Sequence, residues 1–175
     1  CALPILSYYY YHDFKKRMEP TYRYTPRIMD YLETETGVAF PWESYAQVPV
    51  QDFMFGAMEN TTATIFGDFF HVDSYAFNDR SYVGVNAHEL THQWFGDFIT
   101  ARSKASTWLQ EGFATHYAKH FKRTITSEED FQWDRHNELN SVLNAAKSDR
   151  NPLAHSKAGG RVYQKGSLVL DMMRY

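Results

Sequence analysis

The pattern of apolar and polar positions puts strands first and helices later. Residues 3–11, a tyrosine-rich run with Ile5 and Leu6, read as a half-buried or edge strand rather than a binding surface. Residues 12–19 are polar and read as a loop with a short turn. Pro20 and Thr21 open a helical pattern in which Ile28, Tyr31 and Leu32 share one face, with Gly37 as its stop. Residues 45–50 read as a strand broken by Pro49, 51–60 as a loop, 61–66 as the next strand and 69–79 as another loop. Residues 81–96 and 107–122 follow helical periodicity, joined by a connection at 100–106. Thr126-Ser127-Glu128-Glu129-Asp130 is an N-cap with an acidic first turn, and Phe131, Leu139, Val142 and Leu143 carry the next helix to about Lys147. Residues 148–160 form a loop with Pro152 and two glycines, and 161–175 a last helix with Tyr163 near its start. The chain has no internal repeat and no low-complexity segment.

The helix at 81–96 carries the chemistry. His88-Glu89-Leu90-Thr91-His92 reads H-E-x-x-H, and helical residues four apart lie on one face, so both imidazoles can aim at one point. Glu89 stands beside the first histidine, within reach of a water on the same metal. Two neutral histidines and a carboxylate base form the zinc-hydrolase arrangement. A surface helix with two solvated histidines has the same spacing, so a third ligand decides. Glu111, in Trp108-Leu109-Gln110-Glu111-Gly112-Phe113-Ala114, follows His92 after residues 93–110, room for a helix end, a loop and a new helix. The expected site is His88, His92 and Glu111 with a fourth position open to water.

Bulk properties narrow the field. The 175 residues suffice for one core, and aromatics are high at 17%. A net charge of −3 without a basic stripe argues against nucleic acid and against an anionic membrane surface. No stretch is long and apolar enough to span a membrane. Cys1 is the single cysteine, which excludes an internal disulfide and assigns no compartment. The chain starts at Cys1 and stops inside a helical pattern, as a piece of a longer protein would.

H-E-x-x-H, eighteen residues and Glu111 resemble the gluzincin pattern. Gly56-Ala57-Met58-Glu59-Asn60 is GAMEN, similar to the exopeptidase signature of the aminopeptidase N family, and Tyr163-Gln164-Lys165-Gly166 resembles its Tyr-x-Lys-Gly segment. The motifs come in that family's order. The resemblance implies an α/β (α+β), thermolysin-like zincin catalytic domain over residues 1–175, with a small sheet before the helices. It implies one zinc per chain and a peptide substrate with a free N-terminus. It makes Glu59, with Glu111, the partner of the substrate ammonium, and Gly56, Ala57 and Met58 a backbone edge for the peptide. Glu89 is then the general base and Tyr163 the hydroxyl that meets the developing oxyanion. Gln110 replaces the family's usual asparagine, and Ser106 stands where many relatives have aspartate. The resemblance also implies an N-terminal β-domain and a C-terminal helical domain beyond this chain.

The expected function is a zinc aminopeptidase. A leukotriene A hydrolase-like epoxide hydrolase shares the zinc set but usually has glycine where Ala57 stands. A non-catalytic peptide-binding module needs neither Glu89 nor Tyr163. Three weaker features are His116 and His120, expected on a solvated or packed helix face, Asp97, either an orienter of a ligand imidazole or a helix-end cap, and Phe53-Met54-Phe55, either pocket or core.

Overall fold

The computed structural model describes residues 4–155 and 161–174. A four-stranded sheet in the order β1-β2-β4-β3 is built from β1 (Ile5–Tyr8), β2 (Ser44–Val50), β3 (Ala57–Met58) and β4 (Ala63–Gly67). β1, β2 and β4 are parallel, whereas β3 pairs antiparallel with β4, Ala57 opposite Phe66 and Met58 opposite Ile65. The helices are α1 (Lys15–Tyr22), α2 (Thr25–Thr36), α3 (Val83–His92), α4 (Thr107–Arg123), α5 (Glu128–Ala145) and α6 (Gly166–Met173). α1 and α2 form the crossover that a parallel β1–β2 pair requires. This is the expected mixed architecture, a small sheet followed mainly by helices.

α3 runs through the core. Val83, Ala87 and Leu90 recur at helical spacing and pack with Trp94, with Ile28 and Leu32 of α2, with Tyr45 of β2 and with Phe121 of α4. Each Val, Leu, Ile or Phe side chain among them contributes about 1.5–3 kcal/mol by leaving water. Asn86 fixes the rotation of α3. Its amide donates to Thr25 Oγ1 (2.9 Å) and to the Thr21 carbonyl (3.0 Å), and its oxygen accepts from Gln47 Nε2 (2.7 Å). Thr25 closes the ring by donating to Gln47 Oε1 at 2.8 Å. Every member of this buried set is satisfied, so sheet and helices lock in one register.

Several expectations needed correction. The polar stretch at 12–19 is a 3-10 turn (His12–Phe14) followed by α1, and Pro20 lies inside α1 rather than opening a helix. Only the last turn of α1, at Pro20, Thr21 and Tyr22, is buried, so apolar periodicity was absent over its exposed start. Pro49 does not break β2. Its carbonyl accepts from Tyr11 Oη at 3.3 Å, on the side where β1 has already ended, so its missing N–H interrupts no rung. The strand at 3–11 shortens to β1, with Leu3 outside the described residues. α5 begins as expected, with Ser127 and Asp130 forming a capping box. Its apolar face is not core, however: Phe131 is buried, but Leu139 and Leu143 are 46% and 55% exposed. The last helix is α6 preceded by a π-helical turn, Arg161–Lys165, which holds Tyr163. Gly159 and Gly160 lie outside the described residues.

Candidate metal centre

α3 ends at His92, earlier than the pattern to Gly96 suggested, because the chain folds back there. Asp97 N donates to the His92 carbonyl (3.0 Å) and Ile99 N to the Trp94 carbonyl (2.9 Å). The turn brings the Phe95 carbonyl to 3.0 Å from His92 Nδ1, which leaves Nε2 free to point outward. His88 Nε2 lies 3.1 Å from His92 Nε2. Glu111 Oε2, from the first turns of α4, lies 3.3 Å from the first and 3.4 Å from the second. Tetrahedral bonds of about 2.0–2.1 Å to a zinc-type ion separate their ligand atoms by about 3.3 Å, so the triangle has the right size. Two imidazoles and one carboxylate are also the right donor chemistry.

The electrostatics of the side chains alone follow from their crowding. Burial pushes Glu111 up, but His88 and His92 outweigh it and hold its carboxyl down to about 2. Burial pushes His92 down, and Glu111 overrides it, raising the imidazole to about 9. His88 is lowered, chiefly by burial. Glu89 is 7% exposed, and its Oε2 is buried without a hydrogen-bond partner. Burial, reinforced by Glu59 and Glu111 against the opposing charge of His92, lifts it to about 8. A partnerless buried carboxylate oxygen beside such a triangle suits a group that meets a bound water or substrate.

One cleft of about 780 Å³ is lined by the main expected site residues, Gly56, Ala57, Met58, Glu59, His88, Glu89, His92, Glu111 and Tyr163. The GAMEN stretch is not wholly a loop. Gly56 adopts φ +78°, a conformation glycine accepts freely, and its carbonyl accepts from Gly67 N at 2.6 Å. Ala57 and Met58 then form the outer strand of the sheet. The Tyr163 ring stacks on His88, centroids 5.8 Å apart and planes at 23°. Burial and the Glu111 carboxylate push its hydroxyl up to about 12, so it stays a proton donor.

The weaker candidates separate. Asp97 does not reach the ring of His92, whose Nδ1 is taken by the Phe95 carbonyl. Burial raises the Asp97 carboxyl to about 6. Phe55 lines the cleft, while Met54 projects into solvent at 83% exposure. His116 and His120 both engage Asp171, so they are not a solvated face. Gln93 was not anticipated. It is fully buried, its Nε2 donates to the Glu59 carbonyl (3.1 Å), and its Oε1 accepts from Thr62 N (2.8 Å). It thereby ties GAMEN to the end of the histidine helix. Its only sequence signal was a polar residue directly after His92 in an apolar run.

Sheet, helices and cleft together have the fold of the M1 zinc metallopeptidase of Deinococcus radiodurans, with a TM-score of 0.66 and 24% identity over 86% of this chain and 32% of that one. Residues 21–175 match the Peptidase family M1 domain, and the chain belongs to that family. It is similar to glutamyl aminopeptidase of Bos taurus, 27% identical over 96% of this chain and 19% of the relative. It is similar too to aminopeptidase N of Haemonchus contortus, 27% identical over 85% of this chain and 17% of the relative. The chain thus spans about a fifth of the length of these relatives. Among the described residues no helix is long and apolar enough to cross a membrane.

Proposed function

We propose that this chain is the catalytic domain, or part of it, of a zinc aminopeptidase that releases the first residue of peptides. The observation that carries the reading is the triangle of His88, His92 and Glu111 beside the partnerless Glu89 oxygen, in one cleft with Glu59. The aminopeptidase names of the similar proteins support it.

His88, His92 and Glu111 would hold one zinc per chain, which when bound would lower the pKa of a water and polarise the scissile carbonyl. Glu89 takes the proton of the attacking water and delivers it to the leaving amine. Its buried position beside the ligand triangle suits proton shuttling. Tyr163 donates its hydroxyl to the oxygen that becomes negative as the carbonyl turns tetrahedral. Glu59, assisted by Glu111, receives the substrate ammonium through charge-assisted hydrogen bonds, which makes the enzyme an exopeptidase. Gly56, Ala57 and Met58 offer the outer edge of the sheet to the peptide as an added strand. An epoxide hydrolase and a non-catalytic binding module both fit less well, the first because of Ala57, the second because binding needs no buried base.

Cleavage of an aminoacyl anilide by the zinc-loaded protein, with the N-acetylated substrate as control, tests the reading. Cleavage of the free-amine substrate alone is expected. Equal cleavage of both would remove the exopeptidase assignment, and cleavage of neither would remove the enzyme.

A further inference from the structure

Asp171 of α6 is the centre of a second buried cluster, which the proposed peptide chemistry does not use. Its Oδ1 lies 2.8 Å from His116 Nδ1 and 2.9 Å from His120 Nε2. Its Oδ2 accepts from Lys119 Nζ at 2.8 Å, with Arg135 Nε of α5 at 3.4 Å. Lys119 Nζ also donates to Ser167 Oγ of α6 (2.9 Å) and to Glu138 Oε2 of α5 (2.6 Å), which uses its three protons. His116, Lys119 and Asp171 are 5%, 6% and 5% exposed.

Two histidines and a carboxylate invite comparison with a metal site, but the geometry differs from that of His88, His92 and Glu111. Both histidines sit at hydrogen-bond length from a single oxygen. The two carboxylates, Asp171 and Glu138, are already balanced by Lys119 and Arg135, so no negative charge remains for a dication. The cluster is a clamp joining three helices. α4 supplies His116, Lys119 and His120, α5 supplies Arg135 and Glu138, and α6 supplies Ser167 and Asp171.

The clamp lies on the elements that carry the reacting groups. α4 begins with the turns holding Glu111, and α6 continues directly from the π-helical turn holding Tyr163. Lys119 and Glu138 line the same cleft as Tyr163. We infer that Asp171 is a positioning residue, which fixes α6 against α4 and α5 and so holds the Tyr163 hydroxyl at its working distance from the metal ligands. The inference rests on the catalytic reading of Tyr163 given above. A clamp of this kind acts on the transition state through tyrosine placement alone, whereas a merely structural ion pair affects all steps alike.

A double-mutant cycle of Asp171→Asn and Tyr163→Phe in the zinc-loaded enzyme separates the two. Asp171→Asn is expected to lower kcat about tenfold with KM changed less than about twofold and zinc retained. In the Tyr163→Phe background the same change is expected to alter kcat by less than about twofold, because the group it places is gone. If Asp171→Asn does not fold, Ser167→Ala removes one acceptor from Lys119, and its kcat loss of about two- to threefold must vanish in the same background. Equal losses in both backgrounds would overturn the inference. A second zinc equivalent that Asp171→Asn abolishes would also overturn it and make the cluster a metal site. Normal kcat in Tyr163→Phe alone would instead remove the catalytic reading on which the inference stands.

Discussion

The contact between α4 and α6 allows a perturbation whose size follows from distances. A Cβ built on Gly166 lies 2.9 Å from Gly112 Cα and 3.1 Å from the Trp108 carbonyl oxygen. Carbon atoms rest at about 3.5–4.0 Å, so Gly166→Ala forces α6 back by about 0.6–1 Å. Both obstacles are backbone, and no side-chain rotation relieves them. Overpacking of this kind costs about 1–3 kcal/mol, and up to about 1 kcal/mol returns as helix propensity. The net loss, about 0–3 kcal/mol, lowers Tm by up to about ten degrees in a domain of this size. Activity should suffer more. Tyr163 sits three residues before Gly166 in the adjoining π-helical turn, and a displacement of about 1 Å at a reacting group costs about a hundredfold. The assay is kcat and KM on an aminoacyl anilide beside a thermal melt. Gly84→Ala, whose Cβ meets nothing within 4 Å, serves as the melting control. Wild-type kcat and Tm in Gly166→Ala would refute the claim that the two helices touch through their backbones.

Other expectations are simpler. His88→Ala should lose its zinc, measured by metal analysis, and full occupancy would remove His88 from the ligand set. Glu89→Gln should keep zinc and lose about 10²–10⁴-fold in rate, and near-normal turnover with zinc bound would refute its role as base. Tyr163→Phe should lower kcat about 10²–10³-fold with little change in KM, whereas a raised KM at normal kcat would make it a binding residue. His92 without metal holds its proton up to about pH 9, and a ligand imidazole must be neutral. Zinc affinity should therefore weaken as pH falls below about 9, and binding at neutral pH should release at least about one proton, read by calorimetry in buffers of different ionisation enthalpy. Proton-independent binding would contradict the close pairing of His92 with Glu111.

The sequence by itself singled out the candidate ligand set, which the structure brings together. One helical turn separates His88 from His92, so their shared face follows from helix geometry alone, and the interval to Glu111 narrowed the third ligand to one glutamate. GAMEN and Tyr-x-Lys-Gly were legible through their resemblance to short family motifs, not from geometry. The N-cap with its acidic first turn at residues 126–130 was as local as the histidine pair. What only the tertiary structure decided depends on partners far along the chain. Ala57 and Met58 become a strand because β4 lies beside them, and Pro49 stays in β2 because β1 stops short of it. The turn holding Tyr163 is π-helical next to Gly166, which meets the backbone of Gly112 fifty-four positions earlier. Gln93 clasps Glu59 across thirty-four positions, and Asp171 reaches Lys119 across fifty-two. Leu139 and Leu143 have helical spacing but stay 46% and 55% exposed among the described residues, so periodicity promised burial that packing there did not supply. Local spacing encodes direction along one element. Distance between elements is set by the sum of many weak contacts, which no single segment of the chain carries.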